Sequence, residues 1–350
     1  MSGAIWDQVI GQDGPIAALR RGLAGDRGAS GYLFRGPDQI GKTTVALGLA
    51  QALNCTGPQP PCGQCRPCRD IAAGNHPDVR VVEPERMGGS GPFRPKIHKI
   101  DTVRSLLHEA SLRGGAEGWR VIVLVSADAL REDAANTLLK TLEEPPARMV
   151  FVLTTEQPAM LLPTITSRLR RLDLGLVPTA SVVDWLTNVH SVPAAQAQVD
   201  AALAAGRPGR ALALSGDPTI QAFRTELLGR AARLGSEPTT AALLSAAWLA
   251  GGDEEGSAGD RVAWGLELLE WWYRDALVLA AGGESGLLVH RDFERELLSF
   301  TQRYGAVACR GVLGALAEAR LALGRNGNAS LVLEVLWLRM ARGQRVLGRP

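Results

Sequence analysis

Two hydrophobic rhythms divide the chain. Up to about residue 175, short continuous apolar runs alternate with stretches of helical spacing. Tyr32-Leu33-Phe34, Val79 to Glu83, Val121 to Val125 and Met149 to Leu153 read as strands. Runs such as VIVLV show no polar alternation, which fits strands covered on both faces in a parallel sheet. Thr43 to Leu53 places Val45, Leu47, Leu49, Ala50 and Leu53 at helical spacing. Asn136 to Leu142 does likewise and stops before Pro145-Pro146. The expected fold class is α/β, a doubly wound parallel sheet with right-handed crossovers.

Beyond residue 175 the strand signals fade. Pro178 to Gly216 reads as short helices broken by Gly206-Arg207-Pro208-Gly209, and the stretch from about 217 to 343 is helical throughout. Leu266, Leu268, Leu269, Trp272 and Leu277 form one apolar stripe, and Leu331, Leu333, Val335, Leu336 and Leu338 another. Both are expected to be bundle core. Residues 84–95 are rich in Gly and Pro and read as a flexible surface loop.

Composition narrows the class. The chain has 350 residues, 46% hydrophobic and 21% charged, with a net charge of +2. At about 150 residues per domain this length suggests two or three domains. The balance excludes a mostly disordered chain and a wholesale basic coat for nucleic acid. No apolar run reaches the roughly 18 residues of a membrane span. The start, MSGAIWDQVI, has an acidic residue where a signal peptide is basic, so a cytoplasmic location and no membrane partner are expected.

Two motifs carry chemistry. Gly36-Pro37-Asp38-Gln39-Ile40-Gly41-Lys42-Thr43 matches G-x-x-x-x-G-K-[ST] between a strand and a helix. Backbone N–H groups and the helix N-terminus suit phosphate, Lys42 suits the β and γ phosphates, and the Thr43 hydroxyl suits Mg²⁺. ATP with Mg²⁺ is the expected ligand, held by Gly36, Gly41, Lys42, Thr43 and Thr44. A hydrolysing site also needs carboxylates at the end of a later buried strand. Here those positions are Val125 and Ser126, and Asp128 stands beyond them as a partial substitute or a plain helix-start charge. The second motif is Cys55-x6-Cys62-x2-Cys65-x2-Cys68, a closed four-thiolate set expected to hold structural Zn²⁺, with an iron–sulfur cluster as the other soft-ligand choice. His76 reads as a loop histidine and Cys309 as core.

Several segments together resemble one family. Asn136 followed by Leu139-Lys140-Thr141-Leu142-Glu143-Glu144-Pro145-Pro146 is similar to the N-x-L-L-K-T-L-E-E-P-P signature of bacterial clamp-loader subunits, AAA+ proteins of the DNA polymerase III holoenzyme. Val9-Ile10-Gly11-Gln12 resembles their adenine-side box. Thr154-Thr155 matches their sensor 1 strand end, and Thr166-Ser167-Arg168 their S-R-C motif, with Leu169 in place of Cys. Gly209-Arg210-Ala211-Leu212 matches their sensor 2 region, and Asn328 to Leu333 the start of their collar helix. The resemblance implies that Gly11, Gln12, Thr155 and Arg210 border the nucleotide and that Arg168 serves a neighbour's site in trans.

The broken acidic pair beside an intact trans arginine resembles the delta-prime branch rather than the gamma/tau motors. That implies an AAA+ P-loop domain at 1–174 with a zinc module at 55–68, a helical lid at 175–216 and a helical collar at 217–350. It implies gamma/tau and delta subunits as partners, and contact with a sliding clamp and primer-template DNA through the complex. The chain itself is then neither a polymerase nor an efficient ATPase. An active gamma/tau-like motor, a scaffold that binds no nucleotide and a DNA-binding zinc protein are the rival readings.

Overall fold

In the computed structural model the described residues are 3–24, 29–86, 96–112, 118–251, 257–325 and 327–347. They divide into two compact units. One holds the described residues up to Ala197 together with Ala204–Ala213. The other holds Gln198–Leu203 and the described residues from Leu214 onward.

The first unit is built on a parallel sheet of β1 (Gly31–Arg35), β2 (Val79–Val82), β5 (Arg120–Leu124), β6 (Met149–Thr155) and β7 (Arg170–Asp173), in the order β2-β5-β6-β1-β7. The expected α/β class, with a parallel sheet, is what the chain forms. Every residue of β6 is buried, as are most of β1 and β5, whereas the edge strands β2 and β7 are largely open. Continuous apolar runs therefore mark the three central strands, and Arg-rich β7 closes an edge where charge discourages further pairing. Two short strands, β3 (Glu85–Arg86) and β4 (Lys96–Ile97), pair antiparallel beside it. Residues 84–95 were expected to be loop. Glu85 and Arg86 instead belong to this ladder, and residues 87–95 of that stretch lie outside the described residues.

Helices α1 (Asp13–Ala24), α2 (Lys42–Asn54), α3 (Arg66–Ala72), α4 (Ile100–Leu112), α5 (Glu132–Glu143) and α6 (Pro163–Thr166) connect the strands. Leu33, Ile122, Phe151 and Leu153 of the sheet pack with Ala135, Leu138 and Leu142 of α5. Burying side chains of this size contributes about 1.5–3 kcal/mol each. Three more helices follow, α7 (Thr179–His190), α8 (Ala194–Ala204) and α9 (Pro208–Gly216).

The second unit is helical, with α10 (Pro218–Arg233), α11 (Thr239–Ala250), α12 (Ser257–Ala280), α13 (Glu294–Gly324) and α14 (Ala329–Leu347). Its core contains Leu266, Leu268, Leu269 and Trp272, as their spacing implies. The second stripe is only partly core. Leu333 and Leu336 are buried, but Leu331 and Val335 are 60% and 43% exposed. These two are four residues apart, so they share a helix face turned away from the face that carries Leu333, Leu336, Trp337 and Met340. Asn328 starts α14 by accepting a hydrogen bond from the Leu331 N–H through Oδ1, at 3.1 Å. Cys309 is fully buried, as expected.

Candidate nucleotide site and metal centre

The phosphate loop leaves the carboxyl end of β1. Gly36 N–H donates to the Thr155 carbonyl at 3.2 Å, which ties the loop to the end of β6. A Cβ at Gly36 would lie 2.5 Å from the Leu174 carbonyl, so only glycine fits there. Gly41 has φ 102°, in the left-handed region, and turns the loop into α2. Lys42 is 8% exposed and its Nζ donates to the carbonyls of Gly36 at 2.8 Å and Pro37 at 2.7 Å. The ammonium is thus held over the loop by the loop itself. Thr43 and Thr44 follow, half-buried, in the first turn of α2.

The other residues expected around this site lie against the same frame. Gln12 is buried, and its side-chain amide exchanges two hydrogen bonds with the backbone of Gly175. Nε2 donates to the Gly175 carbonyl at 2.7 Å, and Oε1 accepts from the Gly175 N–H at 3.3 Å. Gly11, beside it, has φ 69°. Arg210 is 9% exposed on α9, and the preceding Gly209 N–H donates to the Gln39 carbonyl of the phosphate loop at 3.0 Å. Helix α9 and the phosphate loop are therefore bonded directly.

No carboxylate closes β5. Val125 N–H donates to the Val82 carbonyl and Ser126 N–H to the Thr154 Oγ1, while Ser126 itself adopts φ 52°. His98 Nε2–H donates to the Val125 carbonyl at 2.7 Å. His98 is 1% exposed and burial lowers its pKa, so the ring is neutral and Nδ1 is without a partner among the described residues. Asp128 does not stand in for the missing pair as an open carboxylate. Its Oδ1 accepts from the Thr155 Oγ1 at 2.6 Å and from the Glu156 N–H at 3.4 Å. His98 escaped the sequence reading because a lone histidine in Lys-Ile-His carries no motif.

Arg168 stands elsewhere. It follows α6, and Arg170 two residues later pairs with Tyr32 near the start of β1, whereas Arg35 at the other end of β1 pairs with Asp173 and leads into the phosphate loop. In parallel strands this puts Arg168 at the amino end of the sheet and the phosphate loop at the carboxyl end, with roughly 10 Å of strand between them. The Arg168 Nη1 donates to the Thr164 carbonyl at 2.8 Å and Nη2 to the Glu143 Oε1 at 2.6 Å. The guanidinium is partly exposed.

The four cysteines come together. Cys55, Cys62, Cys65 and Cys68 place their sulfurs within 4.8 Å of one another, and Cys55 and Cys65 Sγ are 3.9 Å apart. A tetrahedral zinc with Zn–S bonds near 2.3 Å sets sulfurs about 3.8 Å apart, so the donor set fits the ion. Backbone N–H groups of Gly57 and Cys62 donate to Cys55 Sγ, and that of Cys65 to Cys62 Sγ, each at 3.3 Å. Such donors stabilise thiolate charge. Gln51 links this module to the N-terminus, accepting from the Ile5 N–H at 2.9 Å and donating to the Cys68 carbonyl at 2.7 Å. His76 is not among the clustered donors, and its Nδ1 accepts from the Asp78 N–H.

The chain is similar to several known proteins. A profile of the family described as DNA polymerase III, delta subunit, matches residues 11–177. The DNA polymerase III subunit delta' of Pseudomonas aeruginosa is 34% identical over 223 residues, covering 63% of this chain and 66% of that protein. The subunit delta' of Bacillus subtilis is 28% identical over 327 residues, 93% of this chain and 94% of that protein. The subunit tau of Bacillus subtilis is 30% identical over 197 residues, but the match spans only 33% of its length. Among solved structures, a gamma subunit-related protein of Thermotoga maritima is 20% identical with a TM-score of 0.47, covering 95% of this chain and all of that one.

Proposed function

Because the chain belongs to the DNA polymerase III delta-prime family, we propose that it is a clamp-loader subunit that completes a neighbour's ATP site instead of turning over ATP itself. The observation that carries this reading is the separation of its two chemical halves. Val125 and Ser126 follow β5 where carboxylates would stand, and Arg168 lies at the opposite end of the sheet from the phosphate loop, out of its reach. An arginine so placed serves another subunit or none. The partners are gamma/tau and delta subunits, and through them a sliding clamp and primer-template DNA.

In this reading residues 1–174 form the AAA+ domain, 175–216 the lid and 217–350 the collar. ATP with Mg²⁺ binds at Gly36, Gly41, Lys42, Thr43 and Thr44, bordered by Gly11, Gln12, Thr155 and Arg210. Zn²⁺ on Cys55, Cys62, Cys65 and Cys68 is structural, because four protein ligands leave no open position for water. No helix among the described residues is long and apolar enough to cross a membrane, and we assign the protein to the cytoplasm, where replication proceeds.

The test is reconstitution. The chain is mixed with gamma/tau and delta subunits, the complex is isolated, and clamp loading onto primed DNA is followed. A stable complex that loads clamps only when this chain is present supports the reading. A chain that hydrolyses ATP alone, in a Lys42-dependent manner, supports the gamma/tau-like motor instead.

A further inference from the structure

We propose that Glu143 is the positioning residue of Arg168. This rests on the trans role assigned to Arg168 above. Glu143 is the last residue of α5, and Arg168 follows the four-residue α6. Leu142 and Leu169, the chain neighbours of the two residues, both lie against Gly31 at the start of β1: a Cβ there would meet Leu169 at 2.4 Å and Leu142 at 3.7 Å. The buried pair fixes the two backbones, so the carboxylate and the guanidinium face each other across a rigid seam.

The guanidinium is pinned at two points, by the Thr164 carbonyl on Nη1 and by Glu143 Oε1 on Nη2. Arginine has five N–H donors in a planar fork. These bonds use two, and the other three have no partner among the described residues. A planar group held at two nitrogens keeps one orientation and still offers a fork to an incoming phosphate. Without Glu143 only the Thr164 carbonyl remains, and the long side chain samples more rotamers before it meets a neighbour's nucleotide. The Glu143–Arg168 pair is half-exposed, so its worth lies in orientation, not in the stability of the fold.

The test uses the reconstituted complex carrying Arg168→Ala, Glu143→Gln, Glu143→Asp or the double variant Glu143→Gln/Arg168→Ala. DNA- and clamp-stimulated ATP turnover is measured against ATP concentration, and the melting temperature of each chain is recorded. Glu143→Gln is expected to lower kcat about 2- to 5-fold, the range that a partly exposed pair commands, with KM for ATP and melting temperature unchanged. Glu143→Asp should recover part of the loss, and the double variant should be no slower than Arg168→Ala alone. A Glu143→Gln complex with wild-type kcat beside a slow Arg168→Ala complex overturns the positioning role and leaves the proposed function standing. An Arg168→Ala complex at wild-type rate overturns both. A loss by Glu143→Gln that adds to that of Arg168→Ala also overturns it, because Glu143 then acts through something else.

Discussion

Lys42 and His290 show what a single side chain contributes. Lys42 bridges the carbonyls of Gly36 and Pro37 across the phosphate loop, so it both shapes the loop and supplies its charge. Lys42→Ala should weaken binding of a fluorescent ATP analogue at least about tenfold, the loss of one charge-assisted contact. Unchanged affinity would mean that the loop does not hold nucleotide through its lysine. His290 is fully buried and accepts from the Arg224 Nη2 at 2.9 Å, so Nδ1 carries no proton and the neutral ring donates through Nε2 toward the Leu268 carbonyl. Burial first, and the Arg224 charge second, push its pKa down to about 3. The unfolded chain takes up a proton below about pH 6.5, and the folded ring does not until about 3. Its contribution to stability is therefore complete above 6.5 and is lost as the pH falls from there. NMR of the His290 ring should show no titration between pH 7.5 and about 5. A midpoint near 6.5 would contradict the buried neutral ring. Lys42 and the cysteines were legible in the sequence because their chemistry demands fixed residue types at fixed spacing. His98, Gln51 and His290 were not, because each acts on partners 17 to 66 positions away.

At the scale of elements, the cysteine module is the piece most dependent on its ligand. It spans the irregular stretch from Cys55 to Cys65 and the seven-residue α3, with Cys65 as the residue that starts that helix. So short a helix is marginal on its own, and an ion held by the four thiolates would contribute its folding energy. Gln51 carries that order on to Ile5, at the first residue of a short 3-10 turn. Removing the metal with a chelator should raise hydrogen exchange at residues 55–72 and 5–8 while β1, β5 and β6 stay protected. Elemental analysis should find one zinc per chain. Uniform loosening of the sheet, or no zinc or iron at all, would contradict a local structural centre. The central strands were readable because burial on both faces leaves an unbroken apolar run. The β3–β4 ladder was not, since two-residue strands are too short to show a period. Leu331 and Val335 misled for a different reason: a helical stripe marks an apolar face but not what covers it.

At the scale of the whole molecule, a complete phosphate-loop motif stands beside a β5 end where Val125 and Ser126 offer no carboxylate. The α/β fold and the clamp-loader signature at 136–146 were legible end to end. The pinning of Arg168 by Glu143 was not, because it depends on how α5 and α6 meet at the amino end of the sheet. The central claim is that Arg168 acts on a neighbour's nucleotide. Stimulated ATP turnover by the complex reconstituted with Arg168→Ala tests it most directly. Arginines supplied in trans are worth about 10³–10⁵ in rate in GTPases, and one site among several in a ring should show a smaller share. The account predicts an assembled complex, unchanged nucleotide binding by the isolated chain, and turnover lowered severalfold. Turnover at the wild-type rate would contradict it and make Arg168 an ordinary surface arginine.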